Sequence, residues 1–191
     1  MQERHSNRIR YFTEQGVTTE KFVIPYLEDC MAIDASTRVL EIGCGDGGNM
    51  VPFLKRGCPT VGIDLNSKSI ANAKAFMAEI MPDAPIELIL QDIYEVDAEK
   101  LGTFDLIIMR DVIEHIHNQE KFMGFIKRFL KPEGKVFFGF PPWRMPFGGH
   151  QQICENKLLS ALPFYHLLGK GTYKWVLKTL GESENTIEEL L

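Results

Sequence analysis

Short apolar runs alternate with amphipathic stretches from Arg38 onward. Arg38–Ile42 (RVLEI), Thr60–Asp64 (TVGID), Ile86–Leu90 (IELIL), Phe104–Met109 (FDLIIM) and Lys135–Phe140 (KVFFGF) are β-branched or aromatic and bounded by Gly, Pro, Asp or Asn. That pattern predicts five strands. Ser67–Met81 carries Ile70, Ala73, Met77 and Ile80 at helical spacing behind Asn66, a natural N-cap. Lys121–Leu130 repeats the spacing with Phe122, Phe125, Ile126 and Phe129, and Lys131-Pro132-Glu133-Gly134 stops it. Nearly continuous apolar strands separated by helices predict an α/β fold: a doubly wound parallel sheet, connected right-handedly, with helices on both faces. Residues 1–37 predict one or two helices, packing through Phe22, Ile24, Tyr26 and Leu27 near Pro25. Residues 142–191 predict a Pro/Gly loop and then a helical cap over Asn156–Leu168, Thr172–Leu180 and Glu184–Leu191. The expected organisation is a single domain over 1–191, with 1–37 as a helical lead-in, 38–141 as the core and 142–191 as the cap.

Composition adds bounds. With 191 residues, 45% of them hydrophobic and 25% charged, the chain buries a sizeable core without disulfide or metal staples. The net charge of −5 argues against a nucleic-acid coat, which needs surplus Lys and Arg. The balance is uneven: from Trp143 to Gly181 stand Arg144, Lys157, Lys170, Lys174 and Lys178 against Glu155 alone. Cys30, Cys44, Cys58 and Cys154 are scattered, as expected of reduced thiols in the cytoplasm. The start, Met1–His5, has no apolar run, so neither a signal peptide nor a membrane span is expected.

The first strand runs into Glu41-Ile42-Gly43-Cys44-Gly45-Asp46-Gly47-Gly48, followed by a short helix to about Arg56. Gly43, Gly45 and Gly48 form G-x-G-x-x-G in a strand–turn–helix setting, and Asp64 closes the second strand where a ribose-binding carboxylate is expected. Charge selects the ligand. A dinucleotide would bring its pyrophosphate against Glu41 and Asp46, whereas S-adenosylmethionine carries a sulfonium and an ammonium and no phosphate. Asp92, directly after the third strand, fits either an adenine amino group or a helix cap.

Val39–Gly47, Val61-Gly62-Ile63-Asp64, Gln91-Asp92, Phe104–Ile108 and Leu130–Gly134 resemble, in order, the successive motifs of class I S-adenosylmethionine-dependent methyltransferases. The resemblance covers about residues 37–141. It implies a Rossmann-like sheet in order 3-2-1-4-5 with the cofactor over the ends of strands one and two. By that resemblance Gly43, Cys44 and Gly45 line the methionine moiety and Glu41 orients its amino-acid part. Asp64 binds the ribose hydroxyls, Asp92 and Ile93 flank the adenine, and Leu65 and Arg110 complete the cofactor set. Cys44 is expected to line the site, because transfer from a sulfonium needs no covalent intermediate. Such sheets normally have seven strands and only five are assignable here. Strands six and seven are therefore expected to be missing, either because the chain is cut inside an insertion or because the cap or a partner chain, as in a homodimer, covers strand five.

Met109–Ile116 (MRDVIEHI) follows the fourth strand. A helix starting there puts Asp111, Glu114 and His115 on one face. Two readings stand: Asp111 caps that helix with Glu114 closing a capping box, or the three hold a divalent ion such as Mg²⁺ or Mn²⁺. The second resembles small-RNA 2′-O-methyltransferases and quinone-biosynthesis O-methyltransferases, with His150 as the further ligand. In either case His115 and His150 are the candidate general bases. Pro141-Pro142-Trp143 follows strand five, not strand four, and is no sign of N-methylation. Trp143, Trp175, Phe147, Phe164, Tyr165 and Tyr173 either wall an apolar substrate pocket or pack the cap helices, and His166–Trp175 could also meet an anionic membrane surface. Arg8, Arg10 and Tyr11 either fold over the cofactor or lie on the surface.

Taken together, these residues lead to the expectation of a cytoplasmic methyltransferase acting on a small molecule, with oxygen the preferred acceptor. The alternatives are an RNA 2′-O-methyltransferase-like enzyme with a divalent metal, a non-catalytic adenosylmethionine-binding module and an NAD-dependent oxidoreductase.

Overall fold

A computed structural model describes residues 7–191; the expectation about Met1–His5 lies outside the described residues. Five parallel strands, β1 (Val39–Ile42), β2 (Thr60–Asp64), β3 (Ile86–Leu90), β4 (Phe104–Arg110) and β5 (Leu130–Gly139), form one sheet in order β3-β2-β1-β4-β5. Every residue of β1 is buried, and Val39 pairs with both Thr60 and Leu106. This central strand has helices on both faces, as near-continuous apolar strands require.

β5 begins earlier than its apolar run. Phe104 pairs with Leu130, and the register resumes only at Leu106 with Lys135, so Lys131–Gly134 bulges out of the strand. Two contacts hold the bulge. Lys131 Nζ lies 2.8 Å from the Asp105 carboxylate, which also accepts from the Arg38 amide at 2.9 Å. A Cβ on Gly134 would come within 2.9 Å of the Phe104 carbonyl.

At the N-terminus, α1 (Arg8–Thr18) runs through a π turn (Thr19–Val23) into α2 (Ile24–Glu28), with Pro25 in the first turn of α2. A π turn adds a residue to the helical repeat and rephases everything beyond it. Ile24 and Leu27 therefore enter the core, while Phe22 and Tyr26, expected beside them, are 61% and 62% exposed.

α3 (Val51–Lys55) follows the glycine loop, and α4 (Ser67–Ile80) starts on Asn66, whose side chain accepts from the amides of Lys68 and Ser69. Ile70, Ala73 and Met77 of α4 are buried, and Ile80 in its last turn is exposed. After α5 (Ala98–Leu101), α6 (Gln119–Ile126) starts ahead of the expected Lys121 because Asn118 caps it through the Lys121 amide. Phe129 completes that apolar face from a 3-10 turn.

The chain divides into two compact units, through Phe140 and from Pro141 onward, one residue before the expected core boundary. The second unit holds α7 (Lys157–Ala161), α8 (Lys170–Thr179) and α9 (Glu184–Leu190). The continuous helix expected over 156–168 is broken. Pro163 cannot continue it, and Phe164 turns at φ +64 into a 3-10 turn. Tyr165 and Tyr173 pack edge to face at 5.2 Å in this unit's own core, while Trp143, Phe164 and Trp175 are exposed. His166 is buried, donating from Nε2 to the Trp143 carbonyl at 2.6 Å and accepting from Gln151 at Nδ1, 2.7 Å away. Among the described residues no helix is long and apolar enough to cross a membrane.

Candidate cofactor site

The carboxyl ends of β1, β2 and β4 converge on the glycine loop. β1 turns sharply at Gly43 (φ +71), where a Cβ would fall 2.3 Å from Val112 Cγ2. Only glycine satisfies both the left-handed turn and that contact. The amides of Gly43 and Cys44 donate to the Ile63 carbonyl at 2.8 and 3.1 Å, stitching the loop to β2. Asp64 reinforces the join: Oδ2 accepts from the Gly45 amide and Oδ1 from the Asn66 amide, each at 2.7 Å.

α1 lies directly on the loop. A Cβ on Gly48 would come 2.3 Å from the Phe12 carbonyl and 2.8 Å from the Gln15 side chain, so this glycine serves helix-to-loop packing. From the same helix Arg8 reaches Asp46 at 2.6 Å, and Asn72 donates to the same oxygen at 3.2 Å. This corrects the electrostatic expectation, in which Asp46 faced a ligand: its charge is already answered within the protein. Arg10 pairs with Glu14 on the surface, and Tyr11 is half-buried, with burial and the nearby Asp111 pushing its hydroxyl above the ordinary range.

Glu41 is the other acidic residue that β1 brings to the loop. It is wholly buried; Oε1 accepts from Asn49 Nδ2 at 2.9 Å and Oε2 has no partner among the described residues. Burial pushes its carboxyl up to about 8, against the opposing pull of the Asn49 hydrogen bond and the Arg110 charge. Arg110, at the end of β4, donates from Nη1 to Asn49 Oδ1 at 2.6 Å and to Thr19 Oγ1 at 3.0 Å. Thr19 and Asn49 escaped sequence reasoning. Neither stands in a recognisable motif, and a contact across 30 residues brings them together.

Cys44 is buried, and its thiol is pushed far up by burial and then by Glu41 and Asp64, so it stays protonated. Asp92 caps the 3-10 turn Ile93–Glu95 through the Tyr94 amide at 2.9 Å, Ile93 is packed into the core, and Leu65 is 72% exposed.

The segment after β4 is not the expected helix. Asp111 adopts φ +55 while its amide donates to the Gly139 carbonyl at 2.7 Å, and only Ile113–His115 forms a 3-10 turn. A left-handed residue at the start cannot lead a helix, so Asp111, Glu114 and His115 share no helical face and form no capping box. Both oxygens of Glu114 are buried without a partner among the described residues, and His115 is exposed. His150 lies in the second unit, left-handed at φ +55. Among the described residues no group of three His, Cys, Asp or Glu side chains is set to hold a metal ion. The structure does not gather the donors proposed for Mg²⁺ or Mn²⁺.

A parallel 3-2-1-4-5 sheet with a glycine loop at its switch point and a carboxylate at the end of β2 defines a nucleoside-cofactor-binding α/β domain. Its family follows from comparison with known proteins. A methyltransferase-domain family matches residues 18–165. The chain belongs to the class I S-adenosylmethionine-dependent methyltransferases. It is 33% identical over 142 residues to a ubiquinone biosynthesis O-methyltransferase of Rhizobium etli, covering 72% of this chain and 52% of that one. To the mitochondrial protein of the same name from Homo sapiens it is 30% identical over 139 residues, covering 72% and 36%. The chain thus spans about half or less of the length of these curated relatives. Magnesium protoporphyrin IX methyltransferase from Synechocystis PCC 6803, with bound SAH, shares the fold at a TM-score of 0.56 and 20% identity, covering 71% of this chain and 61% of that one. PKMT2 from Rickettsia typhi, in complex with AdoHcy, gives 0.53 and 25%, covering 62% and 23%.

Proposed function

We propose that the protein binds S-adenosylmethionine on the glycine loop and transfers its methyl group to the oxygen of a small molecule. The carrying observation is the buried Glu41 oxygen without a donor: in its ionised form this carboxylate suits an ammonium and would repel a pyrophosphate. The names of the O-methyltransferase relatives support oxygen as the acceptor.

In this reading Gly43, Cys44 and Gly45 line the methionine chain, and Glu41 with Arg110 holds its amino-acid end. Asp64 takes the ribose hydroxyls, and Leu65, Asp92 and Ile93 border the adenine. When bound, the cofactor supplies an electrophilic methyl on a sulfonium; the acceptor oxygen forms a C–O bond in line as the C–S bond breaks, leaving a neutral thioether. The protein holds donor and acceptor at attack distance and excludes water. His115 takes the hydroxyl proton, imidazole being a competent base near neutral pH. No step is routed through a metal.

The test is mass-spectrometric methyl transfer to a panel of small hydroxyl compounds and their amine analogues. Methylation of hydroxyls, lost on His115→Ala, is expected. Methylation confined to the amines would remove oxygen from the reading.

A further inference from the structure

The partners of Asn49 admit one arrangement of its amide. The Arg110 guanidinium offers only N–H groups, so the Asn49 oxygen must face it, 2.6 Å from Nη1. The Thr19 hydroxyl donates to the same oxygen at 3.0 Å and accepts from Arg110 Nη1 at 3.0 Å. The Asn49 amide nitrogen is thereby turned onto Glu41 Oε1 at 2.9 Å. Donation runs from Arg110 through Asn49 to Glu41 and stops there, because Glu41 Oε2 has no donor. A further buried acceptor without a donor, Gln15 Oε1, lies on the helix covering Gly48. A site with surplus acceptors complements a ligand bearing several N–H donors on a positive charge.

We propose that Arg110, Asn49 and Thr19 form a positioning relay that turns Glu41 toward the α-ammonium of the cofactor. The end of β4 and the N-terminal π turn thereby set recognition of the amino-acid end. This rests on the adenosylmethionine reading above. The relay is directional: without Arg110 the Asn49 amide is free to rotate and present its oxygen to the carboxylate. Among the described residues, Arg110, Asp64 and the Cys44 thiol are the titratable groups that interact with Glu41. Arg110 and the Asn49 hydrogen bond favour the carboxylate form and Asp64 opposes it, beneath the dominant effect of burial. Seating an ammonium requires the ionised form, so binding releases a proton from Glu41, and affinity rises with pH toward about 8.

The test is calorimetric titration with S-adenosylhomocysteine and with 5′-methylthioadenosine, which lacks the amino-acid part, from about pH 6 to about pH 9. Arg110→Met and Asn49→Leu should weaken S-adenosylhomocysteine roughly tenfold or more and leave 5′-methylthioadenosine within about twofold, as expected for one charge-assisted hydrogen bond. In Arg110→Met the rise of affinity with pH should move upward, and Arg110→Lys should restore part of the loss. Thr19→Val, nearly isosteric, gives the same selective loss in smaller measure and keeps the test decisive if the larger changes unfold the chain. Equal losses for both ligands, or unchanged S-adenosylhomocysteine affinity, would overturn the relay. Wild-type protein that binds neither ligand would overturn the cofactor reading itself.

Discussion

Asp64 holds the loop with one carboxylate oxygen and the start of α4 with the other, so Asp64→Ala removes two hydrogen bonds along with the charge. Affinity for S-adenosylhomocysteine in that variant should fall about tenfold or more by calorimetry; unchanged affinity would take Asp64 out of the site. At Cys44 burial keeps the thiol protonated, whereas Cys30 is exposed. Iodoacetamide should therefore label native protein at Cys30 and spare Cys44, Cys58 and Cys154, as read by peptide mass spectrometry. The glycine loop was legible because its residues are neighbours in sequence: Gly43, Gly45 and Gly48 stand at spacings set by one strand–turn–helix unit. Asn49 and Thr19 were not, since their roles depend on α1 crossing the loop. Asp46 shows the converse error, a charge correctly noticed whose partner, Arg8, lies 38 residues away.

Among the elements, α1 and the glycine loop meet backbone to backbone. Gly48→Ala would drive its methyl into the Phe12 carbonyl, and either α1 lifts or the loop distorts. A loss of about 1–3 kcal/mol in denaturant unfolding is expected, with faster amide exchange across α1. An unchanged midpoint and unchanged exchange would mean that α1 does not rest there. Strands β2 and β3 match their apolar runs to the residue; in β2 Thr60–Ile63 are all buried, while β3 lies at the sheet edge with Glu87 and Leu90 exposed. The misses fall where a local choice overrode periodicity. Asp111 turns left-handed to keep its amide on Gly139, which cancels the helix expected over 111–115. Lys131 leaves the helix stop to pair with Asp105 inside a bulged β5. The π turn at Thr19–Val23 rotates Phe22 and Tyr26 outward, and apolar spacing alone carries no trace of it.

For the molecule as a whole, Glu41 links stability to function. Its carboxyl titrates near 8 when folded and at an ordinary carboxylate value when unfolded, so between about pH 5 and about pH 8 the native state holds the extra proton. On this account the stability of the cofactor-free protein falls as pH rises through that window and levels off above it. Glu41→Gln mimics the protonated form. The variant should match the wild type in thermal unfolding near pH 5, exceed it near pH 8, and bind S-adenosylhomocysteine more weakly at both. A parallel pH dependence in the two proteins would mean that Glu41 ionises normally in the fold.

The most direct test of the account is calorimetric titration of the purified chain with S-adenosylmethionine, S-adenosylhomocysteine and NAD. Saturable binding of both adenosyl ligands at one site, with no heat from NAD, is the predicted result. NAD binding without a response to either adenosyl ligand would contradict it.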